Sequence, residues 1–172
     1  NKINNFFDIK TEVVKHKDVG ICDADPEVFF DIDGVLCELI NDNSINFYFS
    51  GGFRKMKPIY KNIKILKKIK DVTNLKIGLL TSRPKKYGMV WNDTYMWLKE
   101  KNVKYDKIFF YRDKAEFFQE FMKKNKVVLF IDDREREMIG VKKIGIETIK
   151  YEDDDDLYYK IVKKIGVKNV IV

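Results

Sequence analysis

Two aspartates stand inside an apolar run near the beginning of the chain, in the segment VFFDIDGVLCE at 28–38. The dipeptide Asp33-Gly34 is common in turns, which accounts for the second carboxylate. It does not account for Asp31, because Asp is depleted in strands and this one lies between Phe30 and Ile32. A second acidic pair, Asp132-Asp133, follows the apolar run 127–131. We therefore expect four carboxylates to be delivered to strand ends.

The elements that must position these residues are strands alternating with helices. Apolar runs predict strands over 28–32, 76–80, 107–111, 127–131 and 146–149. Helical spacing predicts helices from Pro58 onward and over 92–101, 114–124, 135–143 and 157–165. This alternation predicts an α/β fold, a three-layer sandwich with a parallel Rossmann-like sheet covered on both faces.

In such sheets the ligand lies at the C-terminal ends of the strands. The first, second and fourth predicted strands each end in polar residues, which would gather the carboxylates at one cleft. Two carboxylates about 5 Å apart repel by roughly 3 kcal/mol at an effective dielectric of about 20. A hard divalent cation relieves this repulsion, and Mg²⁺ is the usual partner of carboxylates combined with a substrate phosphate.

Four segments together resemble the motifs of the haloacid dehalogenase (HAD) superfamily of phosphotransferases. DIDGVL resembles the first motif, Thr81 in LLTSRP the second, Lys114 in YRDKAEFF the third, and Asp132-Asp133 in VLFIDDRE the fourth. Their order matches, with about one β-α unit between successive motifs. The resemblance implies a Mg²⁺-dependent phosphatase that acts through an aspartyl-phosphate.

The resemblance also implies a role for each residue. Asp31 is the implied nucleophile and Asp33 the implied acid and base. The residues implied to bind the substrate phosphate are Thr81, Ser82, Arg83 and Lys114. Those implied to hold Mg²⁺ are Asp31, Asp33 through its backbone carbonyl, and Asp132 or Asp133, with the choice between the last two left open.

Two branches of the superfamily come closest, and they imply different substrates. The TS, RDK and IDD segments resemble the deoxyribonucleotidases, which implies a nucleotide as substrate. Arg83 and Arg134 resemble the phosphatase domain of phage-type polynucleotide kinase-phosphatase, which implies a nucleic-acid end. A sugar phosphate and a module without enzymatic activity remain as alternatives.

An insertion at 38–57 predicts a small cap. Its aromatic segments flank Ser50-Gly51-Gly52, which favours a β-hairpin or short flap over an ordinary connecting loop. We hypothesise that one or two of Phe47, Phe49 and Trp91 face the cleft and favour a nucleoside leaving group.

Composition indicates one globular domain over 1–172 that neither crosses a membrane nor carries a signal-peptide pattern, so we expect a cytoplasmic protein. The net charge is +7. We attribute it to lysines spread over solvated helix faces, such as those at 64, 67, 68 and 70, more than to an interface for an anionic partner.

The two cysteines, Cys22 and Cys37, are typical of small buried residues. Nothing in the sequence indicates an oligomeric state.

Overall fold

A five-stranded parallel sheet forms the centre of the molecule. The structure, a computed structural model, describes residues 25–42 and 44–166. The strands are β1 (Val28–Phe30), β2 (Ile77–Thr81), β3 (Lys107–Phe110), β4 (Leu129–Asp132) and β5 (Glu147–Lys150). Their order across the sheet is β3-β2-β1-β4-β5, and all pairs are parallel. The predicted α/β fold with a Rossmann-like sheet is confirmed.

Six α-helices and one 3₁₀ turn accompany these strands. The helices are α1 (Ile45–Phe49), α2 (Tyr60–Val72), α3 (Gly88–Glu100), α4 (Lys114–Phe121), α5 (Glu135–Lys143) and α6 (Leu157–Ile165), and the 3₁₀ helix spans Gly52–Lys55. The last two α-helices have the predicted bounds. Helix α3 begins four residues earlier than predicted, and α4 ends three residues earlier.

The side chains of successive strand residues point to opposite faces of the sheet, and each face packs on its own helices. Phe30 and Ile131 belong to the apolar core that includes Leu66 of α2, Trp97 of α3 and Ile161 of α6. The core on the other face includes residues of the strands, α4 and α5, namely Phe29, Leu80, Phe117, Phe118, Phe130, Met138 and Val141. The sheet is therefore the middle of three layers, as the sequence predicts.

The second face is dominated by aromatic rings centred on Phe29. Its ring lies 5.1 to 5.9 Å from those of Phe109, Phe117, Phe118 and Phe121. Gly78 in the neighbouring strand makes room for it, because a Cβ atom there would lie 2.5 Å from the Phe29 ring. This packing anchors α4, the helix whose first residue is Lys114.

The insertion at 38–57 contains α1 and the 3₁₀ helix and no strand among its described residues, so the predicted β-hairpin is wrong. The Ser44 hydroxyl accepts a hydrogen bond from the Phe47 backbone N–H at 3.1 Å, which caps α1. The turn expected at Ser50-Gly51-Gly52 is present, and Gly51, with a φ of 75°, leads into the 3₁₀ helix. The Phe47 ring meets the Phe53 ring edge-on at 5.1 Å. This ring packing favours two short helices over the strand pairing that the aromatic-rich sequence indicated.

Residues 1–24, 43 and 167–172 lie outside the described part of the chain, and Cys22 is among them. Cys37 is a free, buried thiol, as expected. Among the described helices, none has the length and apolar character needed to cross a bilayer.

Candidate active site

The loop after β1 presents the first two aspartates. The Asp31 N–H donates to the Ile131 carbonyl at 2.9 Å, so the backbone is still paired with β4 at this residue. The chain then turns tightly, and the Gly34 N–H donates to the Cys37 carbonyl at 2.8 Å. Asp31 is therefore fixed and buried at 4% exposure, whereas the Asp33 side chain reaches the edge of the cleft.

Gly34 is required by this turn for two separate reasons. Its φ of 85° is in the left-handed region that residues with a Cβ adopt at a cost. A Cβ at this position would also lie 2.3 Å from the Asp133 carboxyl group. The missing side chain thus lets the first acidic loop approach the second.

A buried lysine joins the first and fourth strands. The Lys114 Nζ lies 3.0 Å from Asp31 Oδ1 and 2.7 Å from Asp132 Oδ2, and the lysine side chain is 1% exposed. Lys114 begins α4, and Asp113 caps that helix by accepting from the Glu116 N–H at 3.0 Å. Burial opposes the ammonium charge, but the two carboxylates outweigh burial and raise the pKa of Lys114. Lys114 is therefore a charged member of the cluster and not a solvated helix lysine.

Three carboxylates converge beside this lysine. Asp31, Asp132 and Asp133 each offer one oxygen, and these oxygens lie within 4.8 Å of one another. Asp132 Oδ1 accepts from the Arg134 N–H at 2.8 Å. The Oδ1 atom of Asp133 is buried and has no hydrogen-bond partner among the described residues. An unpaired buried carboxylate oxygen is costly, so this atom is available to a ligand.

The cluster holds three carboxylates and one lysine, and burial makes their ionisation costly. Burial raises the pKa of Asp31 to about 7, an effect that Asp132 and Asp33 reinforce and Lys114 opposes. Burial and the adjacent Asp132 raise the pKa of Asp133 to about 6. All three side chains offer hard oxygen donors, and one of their oxygens is unpaired. The residues present thus fit a hard divalent cation such as Mg²⁺.

On the other side of the cleft, Arg83 forms an ion pair with Asp33. Its Nε and Nη2 atoms donate to the two carboxylate oxygens of Asp33 at 2.9 and 2.7 Å, a bidentate pair. Its Nη1 donates to the Thr94 hydroxyl at 2.9 Å, and its guanidinium lies 4.2 Å from the centre of the Phe53 ring. Burial opposes ionisation of Asp33, but Arg83, with help from the Cys37 thiol, holds its pKa below the usual range. The sequence interpretation assigns Arg83 to the substrate phosphate, whereas the structure pairs it with a carboxylate.

Thr81 and Ser82 lie at the end of β2, next to β1. Thr81 is fully buried, and its hydroxyl accepts from the Arg83 N–H at 3.2 Å. Ser82 is exposed and lines the cleft. The structure therefore brings all the candidate site residues to one edge of the sheet.

A pocket of about 190 Å³ opens beside Asp33, between the site and the insertion. Its aromatic lining comes from Phe47, Tyr48 and Phe53. Of the three rings hypothesised to face the cleft, Phe47 does so. Phe49 is half exposed and packs on Tyr87, and Trp91 stacks on Tyr95 at 5.9 Å.

The residues that hold Arg83 are those that sequence reasoning missed. Thr94 lies in the middle of α3, and no motif singles it out. Cys37 was expected to be a small buried residue and Phe53 was not among the rings expected to face the cleft, although both contact the Arg83–Asp33 pair. Helical periodicity places Thr94 one turn from buried Val90, which signals an inward side chain but not its partner.

Comparisons with known proteins establish the fold and nothing finer. No family model matches the chain, and no curated protein does. Among solved structures, the chain is similar to the crystal structure of an uncharacterized protein from Corynebacterium glutamicum, with a TM-score of 0.52 and 17% sequence identity. The likeness covers 83% of this chain and 96% of that chain. At this level of identity a shared fold carries no function with it.

Proposed function

We propose that this chain is a Mg²⁺-dependent phosphomonoester hydrolase of the haloacid dehalogenase type, acting through an aspartyl-phosphate on Asp31. One observation carries the proposal: three carboxylate oxygens within 4.8 Å of one another at the strand ends, with buried Lys114 between Asp31 and Asp132. A structural salt bridge alone would need no third carboxylate with an unpaired buried oxygen. The four motifs resembling that superfamily add independent support from the sequence.

Asp31, Asp132, Asp133 and the backbone carbonyl of Asp33 are the groups that would hold the cation. When bound, Mg²⁺ supplies positive charge that offsets the carboxylates and the phosphoryl oxygens. Lys114 supplies a second positive charge at the same place, because its ammonium already contacts Asp31. A dianionic phosphate can therefore approach an anionic nucleophile.

Asp31 has the geometry of a fixed nucleophile. Its Oδ1 accepts a hydrogen bond from the Ile32 N–H at 2.8 Å and forms an ion pair with the Lys114 ammonium at 3.0 Å, and both contacts hold this oxygen in place. Its Oδ2 accepts no hydrogen bond from the part of the chain that the structure describes. In the proposed first step, an Asp31 oxygen bonds to phosphorus while the bond to the leaving oxygen breaks.

Asp33 is the proposed proton carrier. Its carboxylate borders the pocket beside the site, where the leaving group would lie. In its protonated form, which the Arg83 pair disfavours, Asp33 donates a proton to the leaving oxygen in the first step. The carboxylate that results accepts a proton from the water that cleaves the aspartyl-phosphate in the second step. Arg83 fixes the orientation of this carboxylate through its bidentate pair.

We propose a nucleotide as the substrate, because the leaving-group pocket is lined by aromatic rings. Phe47 and Tyr48 border the pocket, and base–aromatic stacking is worth roughly 1–3 kcal/mol per base. A sugar phosphate would gain no such stacking. The volume of the pocket, about 190 Å³, limits the leaving group to a small molecule or to the end of a larger one.

A panel of phosphomonoesters assayed with Mg²⁺ and with EDTA tests this proposal. We expect phosphate release only with the metal, and a higher kcat/KM for nucleoside monophosphates than for glucose 6-phosphate or glycerol phosphate. Release of phosphate from none of them, or full activity in a metal-free sample, would exclude the hydrolase. A preference for the sugar phosphates would exclude the nucleotide and leave the hydrolase in place.

A further inference from the structure

A long groove continues from the candidate site along the C-terminal edge of the sheet. Its volume is about 1210 Å³, several times that of the leaving-group pocket. The two cavities share five lining residues, which are Tyr48, Ser82, Arg83, Pro84 and Arg134. The groove then runs between the loop after β2, the loop after β3 and helices α4 and α5. A ligand whose end lies at Asp33 therefore has a continuous path outward.

The groove gathers basic side chains that form no ion pair with the described acidic residues. They are Lys85, Lys86, Arg112, Arg134 and Arg136. None of the five forms an ion pair within residues 25–42 and 44–166, whereas Lys70, Lys107 and Lys160 elsewhere on the surface each pair with an aspartate. The lysines of α2 lie on a solvated helix face, as expected from the sequence. The basic residues of the groove are instead concentrated in one place. Unpaired cations concentrated in a groove attract an anionic ligand.

Aromatic rings are interleaved with these cations. Tyr48 lies where the pocket meets the groove, and the ring of Phe53 stacks on it at 5.7 Å. Tyr111 lines the groove, is 39% exposed, and is supported from beneath by the Phe117 ring at 5.8 Å. Supported, partly exposed rings beside cations are the arrangement on which unpaired bases stack. A compact anion such as inorganic polyphosphate would use the cations but not the rings.

Acidic side chains in the groove argue against simple charge attraction. Glu116 and Glu137 line its helical wall, and Asp113 caps the start of α4. Three of the cations, Lys85, Lys86 and Arg112, come from the two loops, whereas Arg134 and Arg136 alternate with glutamates at the start of α5. The excess of positive charge therefore lies on the loops, beside the acidic residues of the two helices, and a chain with regularly spaced phosphates can follow it.

We propose that this groove binds the sugar-phosphate backbone of a single-stranded nucleic acid, so that the nucleotide in the leaving-group pocket is the phosphorylated end of a strand. The cations contact the phosphates that precede the terminal one, and Tyr48 and Tyr111 stack on bases. Hydrolysis of the terminal phosphate rests on the proposed function. Binding of the strand by the groove does not.

Two measurements on the full chain test the proposal. The first is direct binding of unphosphorylated oligothymidylates of one to eight nucleotides, which requires no catalysis. Affinity is expected to rise with length over the first few nucleotides, and to fall with salt at a log-log slope of about −0.7 per phosphate contacted. The second is kcat/KM for the same strands carrying a terminal phosphate at either end, expected to exceed that of the mononucleotide by about tenfold or more.

Charge-reversed variants test whether the groove is the surface that binds the strand. Lys85→Glu/Arg136→Glu is expected to lower strand affinity by about tenfold or more while leaving hydrolysis of p-nitrophenyl phosphate unchanged. Lys64→Glu/Lys67→Glu is the matched control, because these exposed lysines lie on α2, on the opposite face of the sheet, and the net charge changes equally. Tyr111→Leu is expected to weaken strand binding but not the binding of polyglutamate, which has no bases to stack.

The outcomes separate this proposal from the proposed function. Strand binding that depends on length and is lost in the groove variant, without phosphate release from any monoester, would support the groove and exclude the hydrolase. Phosphate release with equal kcat/KM for all strand lengths, and no effect of the groove variant, would retain the hydrolase and overturn the groove. Polyglutamate or anionic vesicles bound as tightly as the strand, with no effect of Tyr111→Leu, would also overturn it.

Discussion

Arg83 and Asp33, fifty residues apart in the sequence, form a bidentate ion pair at the edge of the cleft, with N–O distances of 2.9 and 2.7 Å. The arginine is otherwise occupied by the Thr94 hydroxyl and the Phe53 ring. With the Cys37 sulfur, these partners engage four of the five N–H groups of the guanidinium, and the Arg83 side chain is 1% exposed. The pair makes Arg83 a positioning residue for the proposed acid and base.

Replacing Arg83 tests this positioning role. Arg83→Met should reduce kcat for an alkyl phosphate by about tenfold or more, since general acid–base catalysis contributes roughly 10²–10⁴-fold. It should reduce kcat for p-nitrophenyl phosphate much less, because that leaving group departs without a proton. KM should change little for either ester.

Thr94→Val provides a second test, because it removes one partner of Arg83 without touching the cleft. In Thr94→Val, kcat should again fall more for the alkyl phosphate than for p-nitrophenyl phosphate, but by a smaller factor than in Arg83→Met. An equal rise of KM for both esters in Arg83→Met would instead assign Arg83 to the substrate phosphate, as the sequence interpretation has it.

Lys114 should be essential for stability as well as for activity. Its ammonium is 1% exposed and contacts Asp31 and Asp132. Lys114→Met leaves both carboxylates unpaired, which costs about 3 kcal/mol or more of the free energy of unfolding. For a chain of this length, that loss lowers the Tm by about 6–12 °C.

Lys123→Met is the matched control for Lys114→Met, because Lys123 follows α4 and pairs with Glu120 in solvent. Its Tm should stay close to that of the parent chain. If both variants melted at the parent temperature, Lys114 would not hold the cluster together.

Much of this arrangement follows from the sequence, and the reasons are physical. Polar residues at the ends of apolar runs predicted the shared edge of the sheet, because parallel strands deliver their C-terminal ends to the same side. The Arg83–Asp33 pair was not predictable, since it depends on the rotamer of a long side chain and on Thr94 from another helix. The helical insertion was mistaken for a hairpin because Phe and Tyr favour strands unless ring packing decides otherwise.

Gly34 should be irreplaceable for metal binding. Gly34→Ala combines a left-handed φ, which costs roughly 1–2 kcal/mol, with a Cβ placed 2.3 Å from the Asp133 carboxyl group. Gly145→Ala is the matched control, since Gly145 has a φ of 89° and nothing lies within 4 Å of its added Cβ. Both variants should lose stability, but only Gly34→Ala should lose its response to Mg²⁺. Equal responses in the two would show that the approach of the two acidic loops does not matter.

Mg²⁺ should stabilise the folded chain through the carboxylate cluster. At a concentration of about 100 times Kd, a ligand adds roughly 2.7 kcal/mol, which corresponds to a rise in Tm of about 5–11 °C. Asp133→Asn should reduce this rise, because it changes the carboxylate that has an unpaired buried oxygen. Asp155→Asn should not, because that side chain is 99% exposed and distant in sequence from the motifs. An identical rise in both variants would locate the cation elsewhere.

The most direct test of the account is to trap phosphate on Asp31. Rapid acid quenching of a reaction with a phosphomonoester and Mg²⁺, followed by borohydride reduction, converts a phosphorylated aspartate to homoserine, which mass spectrometry then locates. We predict this conversion at Asp31 and at no other aspartate, and no phosphate release by Asp31→Asn. Phosphate release without conversion of Asp31, or undiminished release by Asp31→Asn, would contradict it.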